Sequence, residues 1–444
     1  MNKAQFTSTP TGSNKLEICL ITCVPYVAMV GYAAVRHHTQ LDTWTHGLRV
    51  SLDFSALILP FVYACLSNAE SLGSMHAAMI IPAVIYWLSA HGEIQISSWQ
   101  RGGARLPALT QLRGIIMLQT VFCILAVDFA AFPRRFAKTR DFGTSVMDLG
   151  VGAVILSGAF PRRLRALREA PPATFVQSQT AYRVLRVVRH HLPLVSLGVC
   201  RILLVRSLEY HEAVDEYGVH WNFFFTLALV STASVLLTPS SPRESAAASA
   251  ITMILHQAML SCGLTEWVLT APRVNLISAN KEGLASLPGF VALALMGDAV
   301  GGILQDAVSS RGLFQLVSLD FVLWVSAMAA EILVERPSRR LCNAAFVLWT
   351  SAQVVMTLSI CYASSLMFPL PSPPLLKAFN KHLLDGFLFA NLLTGLVNML
   401  LPTTAASYAF GVTVLLLYMG AVCAFVASGF PSQIRQQLKR LARM

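Results

Sequence analysis

The sequence predicts an all-α, polytopic integral membrane protein, one bundle of about 13 transmembrane helices forming a single domain over residues 1–444. Three observations carry this. Of the 444 residues 55% are apolar and only 12% charged, against roughly 25% charged in a soluble domain. Mean hydropathy is +0.60. Apolar stretches of about 20 residues recur along the chain, the length that crosses a hydrocarbon layer about 30 Å thick. A large core alone would raise the apolar fraction but would not remove the charged surface that keeps a domain in water. A soluble enzyme, a disordered chain and a fibrous repeat are thereby excluded.

In chain order the predicted spans begin with Leu16–Val35, Leu52–Asn68, Leu72–Ala90, Ile115–Phe132, Gly143–Phe160, Pro193–Ser207 and Val219–Thr238. Ala247–Ala271, Leu284–Leu304, Leu313–Val334, Leu341–Phe368, Leu383–Leu401 and Tyr408–Val426 follow. Pro60 interrupts the second, and the sixth is short and carries Arg201 and Arg206. Of the 33 Lys and Arg, 20 fall in one alternating set of loops, 11 in the other and two within a span. The richer set is cytosolic by the positive-inside rule. This puts the N-terminal segment 1–15 outside or in a lumen, and the basic loop 161–192 and basic tail 430–444 in the cytosol. The net charge of +11 lies mostly in that loop and tail, where it faces anionic headgroups and requires no nucleic acid. The nine cysteines all lie in apolar runs, with no CxxC pair, and read as small buried hydrophobes.

Four of the eleven lumenal cations crowd into one short loop, Phe132–Gly143, as Arg134, Arg135, Lys138 and Arg140. Charge concentrated against the topological preference implies another task. Asp128 precedes this loop inside the fourth span, a costly place for an acid unless it is paired or wet. Pro133 ends the helix, so the chain turns back and brings Lys138 toward Asp128. Two readings of this pair stand open. One is a carboxylate that accepts a hydroxyl proton beside an ammonium that stabilises an oxyanion; the other is a salt bridge that anchors the loop.

The next lumenal loop, Glu209–Thr226, is acidic and aromatic. Tyr217, Trp221 and Phe223–Phe225 suit an interfacial belt, whereas His220 and Asn222 are polar groups at the mouth of a helix. His220 is either a general base near neutral pH or a hydrogen-bonded interfacial histidine. In the third lumenal segment, Arg273–Gly283, Arg273 and Lys281 either hold a phosphate or belong to an ordinary solvated loop. Arg201 and Arg206, about 140° apart on a helix, either bind a lipid or coenzyme phosphate or pair with an acid such as Glu266, Asp298 or Asp320. Asn391, Thr394, Gly395 and Asn398 share one face of the twelfth span and read as packing contacts. No GxSxG serine, P-loop, HExxH or Cys/His metal set occurs.

The stretch Val121–Gly152, with Asp128-Phe-Ala-Ala-Phe-Pro-Arg-Arg-Phe-Ala-Lys138 at its centre, resembles the signature of the inositol acyltransferases of glycosylphosphatidylinositol (GPI) biosynthesis. That family comprises the fungal GPI-anchored wall transfer proteins and the phosphatidylinositol-glycan class W proteins. Tyr217-Gly-Val-His-Trp-Asn-Phe-Phe-Phe-Thr226 and Asn280-Lys-Glu-Gly283 are similar to the same family in the same order. The resemblance implies an endoplasmic reticulum enzyme, N-terminus lumenal and C-terminus cytosolic. It would transfer a fatty acyl group, usually palmitoyl, from acyl-CoA to the inositol of glucosaminyl-phosphatidylinositol. It implies Asp128 and Lys138 as the catalytic pair. Acyl-CoA would be a co-substrate, with no cofactor bound permanently, and the partners would be the acceptor lipid and the surrounding membrane. On this basis Arg134 and Arg135 would hold a phosphate, and His220, Trp221 and Asn222 would complete the lumenal wall, with Asn280, Lys281, Arg201 and Arg206 as further substrate contacts. The rival from another class is a lipid or small-molecule transporter, with Arg201, Arg206, Asp298 and Asp320 lining a path.

Overall fold

The computed structural model describes residues 12–39, 41–67, 71–89, 106–168, 180–207, 214–237, 239–304 and 308–433. These residues form helices and connecting turns, with no strand among them. The first six long helices are α1 (Lys15–Thr39), α2 (His46–Leu66), α3 (Leu72–Ser89), α4 (Pro107–Ala126), α5 (Leu149–Arg168) and α6 (Thr180–Ser207). They are followed by α7 (Phe223–Leu236), α8 (Pro242–Thr270), α9 (Leu287–Ile303), α10 (Ser310–Leu333), α11 (Ala344–Met367), α12 (Leu383–Leu400) and α13 (Tyr408–Ala427). The sequence positions their starts. Asn222, Ser241, Ser309, Asn343 and Ser407 each accept a hydrogen bond from a first-turn backbone N–H, which satisfies a donor that has no partner within the helix.

Each segment read as a span lies largely on one of these helices, but ten among the described residues are long and apolar enough to cross a membrane, not thirteen. The apolar stretches of α6 (His191–Leu203) and α7 are shorter, and α5 ends in Pro161-Arg-Arg-Leu-Arg-Ala-Leu-Arg168. Pro60 does not interrupt α2, which runs through it; a membrane helix tolerates the lost hydrogen bond where neighbours re-satisfy the freed group.

Burial divides the bundle into inner and outer helices. The membrane-length windows of α1, α4 and α11 are 78% buried, whereas that of α3 is 11% buried and those of α8, α10 and α12 are 17%. An inner helix is apolar on every side, and Phe122, Phe346 and Trp349 fill its surroundings with no exposed surface. The outer helices present Ile254, Phe314, Phe321 and Leu392 to what is, in a bilayer, lipid rather than water. Cys200 and Cys262 lie on this outer surface, so two of the nine cysteines are not the buried hydrophobes expected. Close helix approach depends on small residues. A Cβ on Gly297 of α9 would lie 2.4 Å from the Leu156 carbonyl oxygen of α5.

The loops predicted to share one side meet at one end of the bundle. Ser13 donates from its backbone to Thr144 (2.7 Å), Gly143 to Pro337 (2.8 Å) and Val219 to Ala279 (2.9 Å). At the other end Arg163 is buried. It donates to the carbonyls of Pro239 (3.0 Å) and Ser240 (3.2 Å) and pairs with Asp298 (3.5 Å). One arginine of the basic loop is therefore a structural tie, and it supplies the partner of Asp298. Residues 169–179 of that loop, and 434–444 of the basic tail, lie outside the described residues.

Candidate functional site

The motif loop begins earlier than expected. Helix α4 ends at Ala126, and Asp128 sits in the turns beyond it, where its N–H bonds to the Leu125 carbonyl (3.1 Å) and that of Phe129 to Ala126 (3.0 Å). Pro133 is not what stops the helix. Phe129, Phe132 and Phe136 are almost completely buried, and the Phe122–Phe132–Phe136 rings pack edge to face. Burying these three large side chains, at about 1.5–3 kcal/mol each, turns the chain back onto the core.

The turn leaves Asp128 half-buried. Its Oδ2 accepts a hydrogen bond from Asn398 Nδ2 of α12 (2.8 Å), and Asn398 Oδ1 accepts one from Thr403 (3.1 Å). The face read as packing therefore supplies a partner of Asp128. Arg134 donates to the Val127 carbonyl at the end of α4 (2.7 Å). Burial pushes its guanidinium below the usual arginine value, while the Asp128 charge pulls the other way.

Lys138 does not pair with Asp128. Its ammonium donates to both oxygens of Glu216, at 2.7 and 2.9 Å. The chain does turn back, but an acid from another loop meets the amine first. Arg135 likewise is engaged by Glu17 of α1 (2.9 and 3.1 Å) and lies 4.5 Å over the Phe136 ring.

Behind these groups lies a charge cluster that the sequence reading did not assign. Arg339 bridges Asp148 (3.0 Å) and Glu216 (3.2 Å). Asp148 has no exposed surface and also accepts from the Thr139 backbone (3.2 Å) and from the Thr139 (2.8 Å) and Ser145 (2.9 Å) hydroxyls. Glu282, equally buried, receives Arg273 (2.6 and 2.9 Å) and Arg340 (2.8 Å). Buried charges are tolerable when paired and hydrogen-bonded in this way. Burial pushes the Glu216 carboxyl up, but Lys138 and Arg339 outweigh it and hold the group down at about 2. Arg201 of α6 adds to that pull on Glu216; the Arg206 side chain lies outside the described residues.

The remaining expected contacts form the wall. Asn222 caps α7 and donates to the Gly198 carbonyl (2.9 Å). Asn280 accepts from the His220 backbone N–H (2.8 Å) and donates to the Leu276 carbonyl (2.9 Å). Trp221 donates to Thr226 (2.9 Å) and lies flat against Gly283, where a Cβ would meet its ring at 2.4 Å. Lys281 donates to the Trp267 and Ala271 carbonyls at the end of α8, a cationic helix stop. In these contacts Asn222, Asn280 and Lys281 act as braces; Arg273 is engaged by Glu282 and Lys281 by the α8 carbonyls. Beside the motif loop a cavity of about 430 Å³ opens between α1 and α10, lined by Ser13, Asn14 and Thr144, by the Lys15–Glu331 ion pair, and by the apolar Trp324, Met328 and Ile332.

The sequence marked Arg134, Arg135, Lys138 and Arg140 as charge against the topological rule, whereas Glu216, Glu282 and Asp148 lay within quoted segments without a role. Their signal was composition. The cations of these loops needed acids on the same side, and these three are among the acids there.

Fold and site together define a multi-pass α-helical membrane protein with a charged, partly buried centre where its same-side loops converge. Residues 1–428 match the GWT1 family. The chain is 31% identical to GPI-anchored wall transfer protein 1 of Emericella nidulans, over 90% of this chain and 91% of that one. It is likewise 31% identical to the protein of that name in Yarrowia lipolytica, over 98% of each. With the phosphatidylinositol-glycan biosynthesis class W protein of Dictyostelium discoideum it shares 30% identity over 94% of each. The chain belongs to the GWT1 family.

Proposed function

We propose that this protein acts in GPI-anchor biosynthesis by transferring a fatty acyl group, palmitoyl by preference, from acyl-CoA to the inositol of glucosaminyl-phosphatidylinositol in the endoplasmic reticulum membrane. The motif end of the bundle then faces the lumen, with the C-terminus in the cytosol. The observation that carries the reading is the different support given to the two motif residues. Asp128 is a half-buried carboxylate whose Oδ2 accepts a hydrogen bond from Asn398, and a carboxylate so placed can take up a hydroxyl proton. Lys138 is an exposed ammonium held through two bonds to Glu216, which leaves one of its three N–H donors.

In the proposed reaction Asp128 accepts the proton of the inositol hydroxyl as that oxygen attacks the thioester carbonyl. The Lys138 ammonium donates to the developing oxyanion. Collapse of the tetrahedral intermediate forms the ester and breaks the carbon–sulfur bond, and the proton held by Asp128 passes to the departing thiolate. Asp128 and Lys138 are bonded to different partners, which favours oxyanion stabilisation by Lys138 over orientation of Asp128. The cavity between α1 and α10, which combines the Lys15–Glu331 ion pair with the apolar Trp324, Met328 and Ile332, suits one amphiphile.

Asp128→Asn and Lys138→Ala are expected to abolish transfer in microsomes supplied with labelled acyl-CoA and glucosaminyl-phosphatidylinositol, with the protein still folded and inserted. Near-normal turnover in either variant would overturn the assignment of roles. Absence of acylated product with the purified wild-type protein would favour the transporter.

A further inference from the structure

Lys138 is the exposed end of a ring of bonds. Its ammonium is held by Glu216 (2.7 and 2.9 Å), Glu216 by Arg339 (3.2 Å), and Arg339 by the fully buried Asp148 (3.0 Å). Asp148 in turn accepts from the backbone N–H of Thr139 (3.2 Å), the residue next to Lys138. The lysine is therefore tethered at both ends. Its backbone is pinned through Thr139 and its amine through Glu216, and both tethers lead back to one guanidinium.

This ring is not needed to stabilise the fold at Lys138. The Lys138 side chain is 41% exposed, and an ion pair that open to water contributes about 0–1 kcal/mol. The buried Asp148–Arg339 pair closes without it. What the two bonds from Glu216 accomplish is to remove the rotational freedom of a four-carbon stem, with one N–H left for a ligand oxygen.

We propose that Glu216, backed by Arg339, is a positioning residue that fixes the Lys138 ammonium for acyl transfer. The proposal rests on the reading that Lys138 donates to the reacting oxygen. A misplacement of about 1 Å costs on the order of 10²-fold in rate, and a lysine released from Glu216 samples displacements of that size.

The test compares wild-type, Glu216→Gln, Glu216→Asp and Lys138→Ala proteins, each purified whole in detergent, with palmitoyl-CoA and glucosaminyl-phosphatidylinositol. Activity is normalised to the folded fraction from size-exclusion chromatography. Glu216→Gln is expected to lower kcat on the order of 10²-fold while KM for palmitoyl-CoA stays within about 2-fold of wild type, the pattern of an interaction made only in the transition state. Glu216→Asp, which keeps the charge, is expected to recover part of the lost kcat. A merely structural role would instead reduce the folded fraction and leave kcat per folded molecule unchanged. If Lys138→Ala is inactive and folded Glu216→Gln keeps wild-type kcat, this proposal is overturned and the reading of Lys138 stands. If Lys138→Ala turns over normally, that reading fails and the proposal with it. Should Glu216→Gln not fold, Glu216→Asp decides: its carboxylate is one methylene shorter, and wild-type kcat there overturns the proposal.

Discussion

Replacing Glu282 by Gln tests whether the charge cluster holds the motif end together. Glu282 has no exposed surface and receives three N–H donors, two from Arg273 and one from Arg340, whose side chain is itself only 5% exposed. Glutamine keeps the shape but removes the charge, and its amide turns an N–H toward a guanidinium donor. Three charge-assisted bonds are weakened or lost at roughly 1.5–3 kcal/mol each. Arg340 retains Asp141 as a partner and Arg273 retains Asp215, so the loss stops short of the full sum. The expected cost is about 3–5 kcal/mol, that of breaking a buried ion pair on one side. Thermal unfolding of the detergent-purified protein, followed by fluorescence-detected size-exclusion chromatography, is expected to show Tm lowered by several degrees. A variant that melts with the wild type would refute the claim that these ion pairs, and not the helix packing alone, secure this end.

Three further outcomes follow from the same contacts. Asn398→Leu removes the donor to Asp128 and is expected to lower kcat about 10-fold or more, the equivalent of roughly 1.5–3 kcal/mol for a hydrogen bond to a charged group; steady-state kinetics on the purified protein checks it. The Glu216 carboxyl lies at about 2 in the folded protein against an ordinary 4.5, so between those values the unfolded chain binds the extra proton. Its contribution is fully present above about pH 4.5 and lost as pH falls through about 2. Melting curves at pH 5.5 and 3.5 are expected to separate, and Glu216→Gln to narrow that separation. Gly218 has φ +117° and faces the Asn280 backbone, where a Cβ would lie at 2.6 Å from Cα. Gly218→Ala is expected to cost about 2–4 kcal/mol from backbone strain and overpacking, read as lowered Tm.

The helical, multi-pass architecture was legible because it depends on apolar length, which the chain displays directly. The count was not, since α5, α6 and α7 combine helix with too much charge or too few apolar residues, and only their neighbours in the bundle account for them. Asp128 stood out because an acid in an apolar run is costly wherever it lies. Its partner did not, because Asn398 is 270 residues away and its face looked like packing. Lys138 was conspicuous as a cation on the wrong side, but proximity in sequence suggested Asp128 where the fold supplies Glu216. Nothing in spacing identifies an acid brought in from another loop. The same limit hid Arg339 and Arg340, which the sequence shows only as two of eleven lumenal cations.

The bond between Asp128 and Asn398 joins the turn that follows the fourth long helix to the twelfth. During synthesis the carboxylate emerges early, yet its tether is among the last parts of the chain to be threaded into the bilayer. A nascent or truncated polypeptide therefore carries the acid before the Asn398 donor can reach it, and this contact forms only when the bundle is all but finished.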